Sequence, residues 1–196
     1  MALTQFELQS IVQVDRTNAV VAGLAEVQLR IEGVLREINK EVGWLVNSCN
    51  REESNWTAQQ HERKIERRAP SLLGDGMGGR TQRDVVYSRV QELLAPLYQQ
   101  DDLAAEADPM LADIIWWKAD RYIVAEVSIR VDRLDVLRAA QRAQSLRKVG
   151  VAATGVVIGD EWVAEDTLTL AEDESIEWKV GNSYSPGLIE YRRIVA

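Results

Sequence analysis

The four prolines of the chain stand at Pro70, Pro96, Pro109 and Pro186, so everything before Pro70 lacks the one residue that breaks a helical hydrogen-bond ladder. Inside that stretch Leu24, Val27, Ile31, Val34, Ile38, Val42, Leu45 and Cys49 recur at steps of three and four, with one four-residue stutter between Ile38 and Val42. This is a heptad seam, the spacing that keeps one apolar edge of a helix facing a partner. Gly23, Gly33 and Gly43 fall off the seam, where each weakens the helix by about 1 kcal/mol relative to alanine without opening the interface. Val20, Val14 and Ile11 extend the pattern loosely upstream, and Trp56 and Ile65 do so downstream. A continuous helix of ~60 residues would form a rod of about 90 Å, too long to fold back on a small domain. Residues 1–69 therefore read as a long helix that oligomerises as a parallel coiled coil through Leu24, Val27, Ile31, Val34, Ile38, Val42 and Leu45. A helical hairpin with a break near Asn47 to Asn50 is the alternative.

Composition narrows the chemistry. The 196 residues are 46% apolar and 28% charged with a net charge of −8, a balance that supports a folded core. The longest apolar run, Ala19 to Ala25, is far short of the ~20 residues of a bilayer span, and the N-terminus lacks the basic and apolar blocks of a signal peptide. The expectation is a cytoplasmic protein with no membrane partner. One cysteine and one histidine leave no intramolecular disulfide, no cysteine zinc cage and little basis for a Ser-His-Asp triad. Chemistry must rest on carboxylates, and His61, beside Glu62 and Arg63, reads as a surface residue.

Gly74 to Thr81 is glycine-rich and fits both G-x-G-x-x-G and, with Arg80 in place of lysine, a phosphate-binding loop. Both motifs need a buried strand to deliver the chain to the glycines. Only Ser71-Leu72-Leu73 separates them from a helix ending at Pro70, so residues 70–80 read as a flexible hinge. Thr81 would cap a helix with Val86, Val90, Leu93 and Leu97 on its apolar stripe, kinked or ended near Pro96. Gln99 to Pro109 follows as an acidic connector.

From Leu111 the hydrophobic period changes. Asp113 to Lys118 and Tyr122 to Ile129 read as strands of a hairpin, Asp132 to Lys148 as a helix with Leu134, Leu137, Ala140 and Leu146 inward, and Val151 to Gly159 as a buried central strand. Glu161 to Asp173 reads as an acidic helix, Ser175 to Val180 as a strand and Leu188 to Val195 as an edge strand. The order predicts an α/β domain with a mixed central sheet over residues 81–196. If Ala119-Asp120 is a two-residue turn, Lys118 pairs with Arg121, Trp117 with Tyr122, Ile115 with Val124 and Asp113 with Glu126. Two carboxylates facing each other on one sheet face repel unless solvent or a cation relieves them, and a hard cation such as Mg²⁺ would do so. Ser128 shares the face of Glu126, and Lys118 alternates onto the face opposite Asp113.

Asp113, the gap to Glu126-Val127-Ser128, and the helix, buried strand, helix and strand that follow resemble the PD-(D/E)XK nuclease superfamily. Within it the chain is similar to bacterial proteins of unknown function that set a long coiled coil before a restriction-endonuclease-like α/β domain. The resemblance covers roughly Arg80 to Val180. It implies Asp113, Glu126 and the Val127 carbonyl as ligands of Mg²⁺ or Mn²⁺, Glu92 as an outer acid, and phosphodiester cleavage by metal-activated water. It departs at Ser128, which stands where the family has lysine; a hydroxyl supplies no positive charge, so transition-state stabilisation should fall by orders of magnitude. Two functions follow: a nuclease-fold protein that engages DNA or RNA and cleaves it, or an inactive oligomeric scaffold that uses the domain for binding. Arg130, Arg133, Arg138, Arg142, Arg147 and Lys148 cluster around one helix and, with Arg63, Lys64, Arg67, Arg68 and Arg80 beside the hinge, would contact phosphates; the alternative is a helix face that is solvated or paired with the acidic helix Glu161 to Asp173.

Overall fold

The computed structural model describes residues 5–100 and 103–194, and in the first helix the side chains of residues 5–12, 14, 15, 19 and 47–54 lie outside that description. The chain divides within that helix into two compact units, residues 1–54 and Asn55–Ala196. Helix α1 spans Gln5–Leu73. It continues one turn past Pro70, because a proline deletes only its own bond to the preceding turn and Ala69, Leu72 and Leu73 are buried there.

In the first unit, the seven seam residues from Leu24 to Leu45 are each between 48% and 63% exposed. Arg30 pairs with Glu26 one turn away at 2.7 Å, and Gln28 donates to Glu32 at 3.2 Å. The side chains of Ile11, Val14 and Cys49 lie outside the described residues, as do residues 101–102 of the acidic connector.

The second unit is built on a six-stranded mixed sheet. Its strands are β1 (Met77–Gly79), β2 (Ile114–Lys118), β3 (Arg121–Val127), β5 (Ala152–Gly159), β7 (Glu177–Val180) and β8 (Ser183–Tyr184), in the order β1-β2-β3-β5-β7-β8. Strands β3, β5 and β7 are mutually parallel and the other neighbours are antiparallel. Two short strands, β4 (Arg130–Val131) and β6 (Glu161–Trp162), pair separately. The hairpin has the expected register: Lys118 opposite Arg121, Trp117 opposite Tyr122 and Ile115 opposite Val124. Ala119 takes a positive φ of 49° to make the turn.

Alternation then sorts side chains between two helical layers. Ile114, Trp116, Ile123, Ala125, Val127, Val156 and Ile158 pack on Ile65, Ala69, Leu72 and Leu73 of α1 and on Leu188 and Tyr191 of α5 (Pro186–Arg193). Ile115, Trp117, Tyr122 and Val124 pack on Val86, Val90, Leu94 and Leu97 of α2 (Asp84–Gln100) and on Ala143 and Leu146 of α3 (Arg133–Lys148). Val157 meets Val136 and Ala139 of α3 and Ala171 of α4 (Glu165–Asp173).

Several expectations change. The glycine-rich segment is an edge strand where a flexible hinge was expected: Gly78, at φ +146°, lies so close to β2 that a Cβ would come within 2.1 Å of the Ile115 carbonyl oxygen. Helix α2 begins at Asp84, and Thr81 is buried with its hydroxyl donating to the Ala112 carbonyl at 3.5 Å, so it does not cap. Pro96 lies inside α2, which runs on to Gln100. The inward stripe of α3 is Val136, Ala139, Ala143 and Leu146, with Leu134 60% exposed. Asp132 and Asp135 form a capping box that starts this helix. Glu161 and Trp162 belong to a strand, so the acidic helix begins only at Glu165.

The largest change falls in Leu188 to Val195, expected as an edge strand: Leu188 to Arg193 lie in helix α5, and Val195 lies outside the described residues. Pro186 opens that helix, and the Glu177 carboxylate on β7 accepts from the Leu188 N–H at 3.0 Å in its first turn. At its other end Lys118, 1% exposed, donates to the carbonyls of Tyr191 (3.2 Å), Arg192 (3.1 Å) and Ile194 (3.1 Å). An anion at the N-terminus and a cation at the C-terminus both complement the helix dipole.

Lys118→Met keeps the buried stem and removes the cap. It should lower the unfolding free energy by about 2–3 kcal/mol, with hydrogen-exchange protection lost first over residues 186–193. Unchanged protection there would show that the lysine does not hold the helix.

Candidate functional site

Asp113 immediately precedes β2 and Glu126 lies near the end of β3, one step beyond the last paired residues, Ile114 and Ala125. The Asp113 carboxylate accepts the Val127 N–H at 2.7 Å, so what Val127 gives Asp113 is a backbone donor. Glu126 is 3% exposed. Its Oε1 accepts from Arg142 Nη1 at 2.5 Å, and its Oε2 lies 3.4 Å from Arg138 Nε. Arg138 also bonds Asp135, and Arg142 donates to the Glu106 carbonyl at 3.3 Å. The carboxylates thus sit together as the hairpin register requires, and the cations beside them are two guanidiniums from α3.

Glu62 and Ala58 of α1 join Asp113, Glu126, Ser128, Arg138 and Arg142 in lining a cleft of about 400 Å³. Burial raises the pKa of Glu126 from its ordinary 4.5 to about 7, helped by the nearby Asp113 charge and opposed by Arg142 and Arg138. Burial likewise raises Asp113, against the Val127 N–H and the Arg142, Arg138 and Arg80 charges. Glu62 is raised by burial and by Asp113, although Arg80 bonds it at 2.8 Å. Carboxyl groups displaced upward in a polar cleft mark a candidate functional site.

This donor set does not fit a divalent cation. Glu126 has both oxygens committed to guanidiniums, and Asp113 commits one to a backbone donor. A metal bound there would face two positive charges at ion-pair distance from its own ligand. Glu92, proposed as an outer acid, is exposed on α2 and does not line the cleft.

Of the arginines proposed as phosphate contacts, Arg80 and the four from Arg130 to Arg142 carry carboxylate partners. Arg130 pairs with Glu161 at 2.8 Å, Arg133 with Asp166 at 3.1 Å, Arg138 with Asp135 and Glu126, and Arg142, 6% exposed, with Glu126. Lys148 is exposed at the last position of α3. Among the described residues Arg63, Lys64, Arg67, Arg68 and Lys179 have no carboxylate within ion-pair distance. Lys64 and Arg68 are within electrostatic reach of Lys179, as is Asp160.

Sequence reasoning missed the partnership of Arg138 and Arg142 with Glu126. The signal was present: Arg142 lies on the spacing of Val136, Ala139, Ala143 and Leu146, so a charge falls on a buried stripe and needs a buried counter-charge. His61 is also corrected. It is 8% exposed rather than on the surface, with Nδ1 3.8 Å from Asp160, and burial lowers its pKa.

The raised pKa of Glu126 fixes a sign. Between pH 4.5 and about 7 the folded chain holds a proton that the unfolded chain has released, so this group's contribution to stability falls as pH rises through that window. The full change is on the order of 3 kcal/mol. Urea unfolding of wild type and Glu126→Gln between pH 4 and 8 should show the wild type losing stability against the variant as pH rises; a constant difference would contradict the assignment.

In comparisons with protein-family models, with curated proteins and with solved structures, nothing matches the chain.

Proposed function

We propose that this chain is a coiled-coil-tethered protein whose α/β unit, laid out like a PD-(D/E)XK domain, engages nucleic acid without hydrolysing it. One observation carries the reading: the distribution of partnered and unpartnered cations. Arg130, Arg133, Arg138 and Arg142 are paired with carboxylates, whereas Arg63, Lys64, Arg67, Arg68 and Lys179 have none within ion-pair distance among the described residues. Trp56, 64% exposed, joins this set. At 100° per residue Trp56, Arg63 and Arg67 fall within about 40° of one helical face, with Lys64 and Arg68 about 80° and 120° round from Trp56 on one side of it. An exposed indole among unpaired cations suits a single strand, whose phosphates meet the charges and whose bases stack on the ring.

The exposed seam on α1 supports the self-associating part of this reading. Seven half-exposed aliphatic side chains on a heptad seam invite a second copy, and burying the remainder of each is worth roughly 1 kcal/mol. The absence of hydrolysis is supported by Ser128 at the lysine position and by the arginines that hold Glu126.

Fluorescence anisotropy of a labelled single-stranded oligonucleotide against salt tests the binding. Lys64→Gln/Arg68→Gln should weaken affinity about tenfold and reduce the slope of log K against log salt by about 1.4. Arg133→Gln, whose partner is Asp166, should change neither. Equal binding by all three proteins, or none by wild type at low salt, would remove the reading. Incubation with DNA or RNA under Mg²⁺ or Mn²⁺ should leave the strands intact, and cleavage lost in Glu126→Ala would establish a nuclease instead.

Light scattering should report an oligomer for wild type and a monomer for Ile31→Asp/Ile38→Asp, with an accompanying loss of helical circular dichroism. A monomeric wild type would exclude the coiled-coil part.

A further inference from the structure

We propose that Lys64, Arg68 and Lys179 form a seat for a terminal phosphate monoester of the bound strand. The inference rests on the single-strand reading and goes beyond it by assigning which group of the strand is held at one place. The fold brings the three cations together. Lys179 of β7 pairs with Ile158 of β5, and Ile158 packs on Ile65 and Ala69 of α1. Lys64 and Arg68 each precede one of those two residues and stand one turn apart, so they flank the same contact from the exposed side of the helix. The place is the carboxyl end of two parallel strands, where open α/β sheets take their ligands.

Charge identifies the occupant. Among the described residues none of the three has a carboxylate within ion-pair distance. The carboxylate in electrostatic reach of Lys179 is Asp160, which is 60% exposed and lies 3.8 Å from His61 Nδ1. Burial lowers the pKa of His61 and keeps it neutral, so the histidine adds no charge. Three cations against one carboxylate leave a surplus of two positive charges. An internal phosphodiester brings a single negative charge, whereas a terminal monoester carries about −1.5 to −2 at neutral pH and offers three acceptor oxygens. The monoester therefore matches the seat in charge and in the number of side chains that donate to it. Burial lowers the pKa of Lys179, Asp160 opposes that shift, and Arg68 and Lys64 push it further down, so a dianion among the three relieves their repulsion. Arg63 and Arg67 differ, because they share the face of Trp56, which stands about 12 Å up the helix from Lys64, and there internal phosphates meet them singly.

The experiment uses the full chain and an internally labelled oligothymidylate that bears a 5′-phosphate, a 3′-phosphate or neither, read by fluorescence anisotropy. One of the phosphorylated strands should bind about tenfold more tightly than the strand with free hydroxyl ends, and which one does so distinguishes the two ends as the source of the monoester. Lys179→Met, which keeps the half-buried stem, should bring that ratio close to one. Arg63→Gln/Arg67→Gln should weaken all three strands and leave the ratio at about tenfold. Lys64→Gln, on an exposed helix face, should lower the ratio to about threefold, and it carries the test if Lys179→Met does not fold. Equal affinity for the three strands would overturn the proposal and leave strand binding itself standing. A preference that both Lys179→Met and Lys64→Gln preserve would overturn it as well, since the monoester would then be held elsewhere. Binding of none of the strands would remove it together with the reading on which it rests.

Discussion

The two-residue turn at Ala119 and Asp120 is the constraint on which the α/β unit depends. It opposes Lys118 to Arg121 and so fixes which face of the sheet every hairpin side chain occupies. A slip of one residue would exchange the two faces. With this register, Lys118 joins Ile114 and Trp116 on the face that receives α5, while Asp113 and Glu126 fall on the face that receives α3. The strained left-handed backbone at Ala119 is the local cost of that arrangement.

Two buried charges on opposite faces then have opposite partners. Lys118 is satisfied by three carbonyl oxygens at the end of a helix, neutral acceptors that carry the negative end of the helix dipole. Glu126 is satisfied by two guanidiniums from one helix. Neither group gains much net free energy from burial, because desolvation offsets most of the attraction; the larger effect is the penalty for leaving either one unpartnered. Each charge therefore acts as a positional key, tying α5 and α3 to particular strands. Gly155 allows the close approach on the second face, since a Cβ there would meet the Ala139 carbonyl oxygen of α3 at 2.7 Å.

Much of this was legible in the sequence. The proline-free heptad stretch is helical, the hairpin has the register its turn length implies, and the β-branched run from Val151 is the central strand. Asp113 and Glu126 could be singled out because register alone brings them together. What could not be read was the answer to their repulsion. Arg138 and Arg142 lie on the helix that carries the chain from β3 to β5, and from sequence their spacing on α3 looks as much like a solvent-facing basic stripe as a buried one. Leu134 and Leu137 suggest a stripe one residue out of phase with Val136 and Ala139, and in that phase the buried counter-ion Arg142 looks like a surface cation.

The sequence by itself determined the elements whose conformation is local: a helix kept intact by the absence of proline, strands marked by period two, and a register set by a short turn. The tertiary structure alone decided three others. Gly74 to Thr81 contributes a strand because a neighbouring strand offers a ladder that only glycine can approach so closely. Residues 186–193 form a helix because a glutamate and a lysine from the sheet satisfy its two ends. Glu126 is ion-paired by Arg138 and Arg142 because α3 packs on that face of the sheet. In each case the deciding energy belongs to hydrogen bonds and charges between residues far apart in the chain, and no periodicity records those partners.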